Sequence, residues 1–245
     1  MFVEKLSSVF LDFIFPRHCC VCQQHLSSSN YRYLCDSCAK KIIFPSVNLC
    51  QRCGYDFGAD CSDGSKFCPR CLGQEFCFKS LRSAVRLSYV TRHLVHQFKY
   101  KNGDYLVRDL CKIIQKNAHF MAFIGDSIFV PVPLHWRRKF FREYNQSELL
   151  VRHLAKLPID SKVLHLLKRT RHTRPQVGLR ATERRSNMQK AFSINPKIKI
   201  PLDTRLIVFD DVLTTGSTIN ECCSVLKKHG FLNIYAATFA QVSRD

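Results

Sequence analysis

The chain has 245 residues, 46% of them apolar and 23% charged, a composition that excludes a fibrous or wholly disordered protein and fits one medium domain plus a small one. Lys and Arg number 38 against 19 Asp and Glu, a formal charge of +19, so a polyanionic partner or a heavily phosphorylated ligand is expected, and charge alone does not choose between them. No apolar run approaches the roughly 20 residues of a membrane-spanning helix, and Glu4, Lys5 and Asp12 interrupt the opening segment where a secretory signal is uniformly apolar, so a cytoplasmic protein with no transmembrane segment is expected.

In chain order the cysteines come first. Eleven of the 14 lie between Cys19 and Cys77, and eight of those form four Cys-x-x-Cys pairs: Cys19/Cys22, Cys35/Cys38, Cys50/Cys53 and Cys68/Cys71. The gaps of 12 and 14 residues within the two sets let each set complete a tetrahedral thiolate shell, which is structural because it leaves no position for substrate. Two zinc ribbons, holding one or two Zn²⁺ ions, are expected; the pairs could close sequentially or interleaved. His18, His25, Cys20, Cys61 and Cys77 could substitute as ligands, although most of them read as bystanders, and a redox dithiol is disfavoured by four regular pairs outside a thioredoxin-like context. A region of about 60 residues has too small a core to stand alone, so metal supplies its folding energy. The abrupt loss of cysteine places a boundary at residue 80, giving a double zinc-ribbon domain over 1–80 with charge +2 and a second domain over 81–245 with +17.

Beyond the boundary, short apolar runs alternate with segments of helical period. Strands are predicted over 81–90, 127–133, 206–209 and 233–241, and helices over 93–100, 105–120, 146–156 and 218–229; residues 169–190 fit no element. Strands and helices taking turns imply an α/β fold, a parallel sheet with helices on both faces and right-handed crossovers. A long polar segment inside such a domain reads as a working lid or as disorder.

The most informative stretch is LIVFDDVLTTGST, residues 206–218. An apolar strand, two acids at its carboxyl end and a Thr/Gly/Ser loop entering a helix form the place where open α/β sheets put ligands. A helix amino terminus offers unpaired N–H groups to a phosphate. Gly216 permits close backbone approach, Thr214, Thr215, Ser217 and Thr218 add hydroxyls, and Asp210 and Asp211 can accept from the adjacent hydroxyls of a ribose. This pattern describes a ribose-5-phosphate site, and at every position it resembles the phosphoribosyl pyrophosphate (PRPP) motif of type I phosphoribosyltransferases.

That resemblance implies an oxocarbenium-like sugar and a departing pyrophosphate, stabilised by Mg²⁺ and basic side chains. Basic candidates fall at FKYKNG (98–103), HWRRKFFREYNQ (135–146) and RTRHTRPQVGLRATERRSN (169–187). Lys99 follows the first crossover, where type I enzymes carry a pyrophosphate loop, so Lys99, Asp210 and Asp211 are the candidate catalytic groups. Arg137, Arg142, Arg171, Arg174, Arg180 and Arg184 are candidates for a closing, polyanion-binding loop. The same loops suit single-stranded DNA, with Trp136, Phe140, Phe141 and Tyr144 able to stack on bases, although Phe140 and Phe141 read better as core.

With FPRHCCVC (15–22), HQFKYKNGDYL (96–106), VPVPLHWRR (130–138), NQSELL (145–150) and RPQVGLRATERRSNMQKAF (174–192) added, the whole chain resembles the ComF/GntX family of competence-associated proteins. The resemblance implies a double zinc ribbon before a type I phosphoribosyltransferase-like domain. It also implies support for single-stranded DNA uptake in natural transformation beside a helicase-like ATPase and a membrane DNA channel, from the cytoplasm or the periphery of the inner membrane. The alternative is an active phosphoribosyltransferase that moves 5-phosphoribose from PRPP to a nitrogen acceptor. Glu143 stands where the family usually has Gly, which puts an acid beside the expected phosphate site and weakens the case for Arg142.

Overall fold

The structure is a computed structural model that describes residues 17–26, 29–58, 66–100, 103–134, 144–157, 159–170 and 191–242. Its centre is a five-stranded sheet in which every neighbouring pair is parallel: β1 (Leu81–Arg86), β2 (Ile128–Pro131), β3 (Lys162–Val163), β6 (Leu206–Leu213) and β7 (Ile234–Gln241), in the order β1-β7-β6-β2-β3. The central strand β6 is buried over its first four residues, which is why LIVF reads as an unbroken apolar run rather than an alternating one. Alternate residues serve opposite faces. Phe129, Ile207, Phe209, Ala237 and Phe239 join one core with α3 (Tyr89–Lys99), α4 (Val107–Gln115), α5 (Ala118–Ile124) and α6 (Gln146–Leu154). Val130, Leu206, Val208 and Ala236 join the other with α7 (Ser217–Lys228). The expected parallel sheet between helical layers is therefore present.

Several boundaries differ from the sequence reading, each for a local reason. The strand predicted to run to residue 90 stops at Arg86 because Ser88 caps α3 in a reciprocal capping box with Thr91, a geometry that satisfies two orphan amides. The single helix predicted over 105–120 is a 3₁₀ turn (Gly103–Leu106) followed by α4 and α5. The break falls at Asn117, whose side-chain oxygen accepts from Phe120 N–H while its amide donates to the Ala84 carbonyl. The strand predicted to end at residue 209 continues to Leu213, because Asp210, Val212 and Leu213 remain in register with Thr238, Ala240 and Gln241 of β7. Short strands β3, β4 (Leu167–Arg169) and β5 (Phe192–Ile194) carry too few residues to show a period. The last two pair antiparallel and bracket the segment that fitted no element.

The ribbon region, with short helices α1 (Asp36–Ala39) and α2 (Pro69–Leu72), packs directly on this framework. Val21, Leu26, Tyr31 and Leu34 share the core of α3–α6, and Phe76 and Phe78 share that of α7. Two backbone hydrogen bonds, Leu81 N–H to Arg52 O at 2.7 Å and Arg86 N–H to Ile43 O at 2.8 Å, cover both ends of the β1 edge, which would otherwise invite further strand pairing. Asp109 of α4, 1% exposed, accepts from Arg32 N–H at 2.9 Å and Tyr33 N–H at 2.7 Å. An Asp109→Ala substitution leaves both part-buried amides without this acceptor, at about 1–3 kcal/mol each, so a loss of about 3 kcal/mol is expected in urea denaturation of the zinc-loaded chain. A change under about 0.5 kcal/mol, the range of an ordinary surface substitution, would show that this contact does not hold the ribbon in place.

Candidate functional site

The eight paired cysteines form two four-sulfur groups, Cys19/Cys22/Cys35/Cys38 and Cys50/Cys53/Cys68/Cys71, with all Sγ atoms of a group within 4.8 Å of one another. Closure is thus sequential. The Sγ separations of 3.6 Å for Cys22–Cys35 and for Cys53–Cys68 match the roughly 3.8 Å edge of a tetrahedron with about 2.3 Å Zn–S bonds, so both groups fit structural Zn²⁺. Each site has one thiol poised to ionise. Burial opposes ionisation of Cys19, yet backbone N–H groups of Cys22, Cys35 and Val21 outweigh it and bring the thiol down to about 7. Cys50 reaches about 7 in the same way, through Cys53, Cys68 and Arg52. Burial pushes Cys53 up to about 12 and raises Cys38 and Cys71 as well, so the metal must displace those protons. Of the five possible substitute ligands, His18, His25, Cys20 and Cys77 belong to neither group, and Cys61 lies outside the described residues.

The second site lies at the carboxyl end of the sheet. Strand β2 leads through α6 to β3 on one side, and β6 leads through α7 to β7 on the other; such a reversal opens a crevice between the two strands. Residues 210 and 212–219 line a small depression there. Gly216 caps α7 in the left-handed conformation, φ +73°, which side-chain-bearing residues rarely adopt. Having no side chain, it leaves the helix start open to the depression, where Ser217 N–H donates to Thr215 Oγ1 at 3.4 Å. The Thr215 and Ser217 hydroxyls lie 2.9 Å apart and hold the loop from within.

The two acids occupy successive positions of β6 and therefore differ in environment. Asp211 pairs with Lys99 Nζ at 2.9 Å, with side chains 12% and 24% exposed. Asp210 Oδ1 accepts from Ser147 Oγ at 3.0 Å and from Asp211 N–H at 2.9 Å. Although Asp210 is only half-buried, its carboxyl group is desolvated, and that loss of water, with the Asp211 charge second, pushes it up to about 7 against the opposing pull of Lys99. Ser147 stands in the first turn of α6, where Asn145 accepts from Ser147 N–H and Glu148 N–H and donates to Val132 O. Gly103 supports Lys99 from behind: a Cβ there would overlap the Gln97 carbonyl, so only glycine lets the 3₁₀ turn close against the end of α3.

Lys99, Asp210, Asp211, Thr214, Thr215, Gly216, Ser217 and Thr218 are thus brought to one end of the sheet. Arg137, Arg142, Arg171, Arg174, Arg180 and Arg184, with Trp136, Phe140 and Phe141, lie outside the described residues. Tyr144, read as a base-stacking candidate, is half-buried and donates its hydroxyl to the Phe98 carbonyl. Sequence reasoning did not single out Ser147 as a partner of Asp210, although Asn at 145 and Glu at 148 form a recognisable helix-start pattern. Nor did it find Arg70, between zinc ligands Cys68 and Cys71, whose guanidinium donates to the Thr215 carbonyl; no local pattern announces a contact across 145 residues.

Comparison with known proteins gives these sites a context. Residues 10–72 match the model of the double zinc ribbon domain. Competence protein F of Haemophilus influenzae is 31% identical over 204 residues, spanning 80% of this chain and 85% of that protein. DNA utilization protein YhgH of Salmonella typhi is 29% identical over 221 residues, 88% of this chain and 92% of its own length. Competence protein ComFC of Streptococcus pneumoniae is 25% identical over 223 residues. A double zinc ribbon on a parallel α/β sheet, with relatedness along most of both chains, places this protein in the Competence protein F family.

Proposed function

We propose that the chain supports DNA uptake or utilisation, as the names of its relatives say of them, through a PRPP-binding pocket at the carboxyl end of β6. One observation carries the pocket: Asp210, with Asp211 next to it in β6, lines the same depression as the helix start whose Gly216 opens the backbone. The Asp210 and Asp211 carboxylates accept from the ribose hydroxyls, the loop 214–218 holds the 5-phosphate through amides and hydroxyls, and Lys99, released from Asp211, turns to the pyrophosphate. The carboxylate and hydroxyl oxygens of this set suit a hard cation, and Mg²⁺ bound with PRPP would neutralise part of the pyrophosphate charge.

The DNA-binding part of this reading rests on the surplus of 17 positive charges beyond residue 80 and draws in Arg137, Arg142, Arg171, Arg174, Arg180 and Arg184. The zinc ribbons, as a domain bounded near residue 80, serve as the docking face for a helicase-like ATPase beside a membrane DNA channel, with the protein on the cytoplasmic side. Among the described residues no helix is long and apolar enough to cross a membrane. Changing Arg171, Arg174 and Arg180 to Ala should flatten the salt dependence of oligodeoxynucleotide binding by about one counterion per lost contact, measured by fluorescence anisotropy across a salt series. An unaltered slope removes that loop from the DNA interface. Transformation frequency in a deletion strain complemented with the Asp210→Asn/Asp211→Asn chain tests pocket and process together, and wild-type frequency would separate the two.

A further inference from the structure

The zinc ribbon and the proposed ligand loop are joined by an arginine that is not itself a ligand of the metal site. Arg70 is the middle of the second zinc knuckle, held in a single helical turn between Cys68 and Cys71. Its Nε bonds Gln74 Oε1 at 3.3 Å, its guanidinium lies over the Phe76 ring at 5.3 Å, and it donates to the Thr215 carbonyl. A second bond runs the same way: Cys77 N–H donates to Asn220 Oδ1 at 2.8 Å, in the first turn of α7. Beneath both, Phe76 and Phe78 pack into the core that contains Ile219, Cys222 and Cys223. The loop and the helix start that follow Asp211 are therefore gripped from outside the sheet by the segment that closes the second metal site.

We infer that Arg70 is a positioning residue for the phosphate loop, coupling the Cys50/Cys53/Cys68/Cys71 zinc site to ligand binding at residues 214–218; this rests on the PRPP reading of that pocket. The reasoning is geometric. A carbonyl fixed at Thr215 fixes the peptide plane before Gly216, the residue whose left-handed φ of +73° orients the following amides. An anion at a helix start gains only from amides already pointing at it. The guanidinium can hold that carbonyl only while the knuckle is closed, and the knuckle is closed by metal. Coupling of this kind is reciprocal: whatever orders the loop also steadies the zinc site, by the same factor.

The test uses the full, zinc-loaded chain. Arg70→Ala should weaken Mg·PRPP binding about tenfold by calorimetry while zinc content stays at the wild-type value, and Arg70→Lys should recover part of the loss. In the absence of ligand, amide hydrogen exchange at residues 215–218 should accelerate in Arg70→Ala and stay at the wild-type rate elsewhere in the sheet. Mg·PRPP should slow transfer of one zinc ion to a chromogenic chelator in the wild type and not in Arg70→Ala. Wild-type exchange and wild-type affinity in Arg70→Ala, alongside lost binding in Asp210→Asn/Asp211→Asn, would overturn the inference and leave the pocket standing. A wild-type chain that does not bind PRPP would instead overturn the pocket reading, and the inference with it.

Discussion

Replacing Asp210 and Asp211 together with Asn should weaken Mg·PRPP binding by well over tenfold in calorimetry on the full chain. A hydrogen bond to a charged group contributes about 1.5–3 kcal/mol, and both carboxylates would lose charge while keeping an acceptor oxygen, so a loss of about 100-fold is the central expectation. The double variant should fold. Asp210 carries a carboxyl raised to about 7 from an ordinary value near 3.9; a raised carboxyl pKa means the folded chain binds the proton more tightly, so ionised Asp210 costs stability as pH climbs from about 4 through about 7. Its replacement by neutral Asn removes that cost, and the melting temperature of Asp210→Asn alone should not fall above neutrality. Because the sugar hydroxyls need an ionised acceptor, wild-type affinity should rise between about pH 6 and pH 8, with a proton released on binding, and the rise should disappear in Asp210→Asn. Unchanged affinity in the double variant would remove the ribose from this crevice.

How far the sequence foretold this arrangement depends on distance along the chain. The segment 206–218 was legible because strand, acids, glycine and helix start follow one another, and each constrains its own neighbourhood. The cysteine sets were legible for the same reason, and the structure adds only that they close in sequence. The extra length of β6 was hidden because its last residues are held by pairing with β7 rather than by their own apolarity; Asp210 reads as the end of a strand and is in fact within it. The split between α4 and α5 turned on one side chain, Asn117, finding a carbonyl at residue 84. Asp109 and Arg70 were out of reach altogether, and for Ser147 the helix-start pattern gave its place but not its bond to Asp210. Each makes its decisive bond to a segment far away in the chain, and an Asp, a Ser or an Arg on a helix reads by itself as a solvated polar residue.

Zinc removal should affect more than the region that binds it. Apparent zinc affinities of thiolate sites correspond to about 10–16 kcal/mol, as large as a typical domain's whole stability of about 5–15 kcal/mol, so stripping the metal, or breaking the first site with Cys35→Ser, should unfold the ribbon that carries the affected site. In a chain whose two parts met only through a linker, the sheet would melt unchanged. Here Val21, Leu26, Tyr31 and Leu34 form part of the core against α3–α6, and Asp109 depends on the Arg32 and Tyr33 amides for its partners. A buried carboxylate stripped of its donors is costly. Cys35→Ser should therefore lose one zinc ion per chain, become open to protease within residues 17–58 first, and lower the melting temperature of the remaining sheet by about 10 °C or more, consistent with a loss of several kcal/mol at this chain length. Limited proteolysis with mass spectrometry, followed by calorimetric scanning of the resistant fragment, reads both effects. A fragment that begins near residue 80 and melts at the wild-type temperature would show that the shared core contributes nothing to the sheet, and that the boundary read from the cysteines is a boundary in stability as well as in composition.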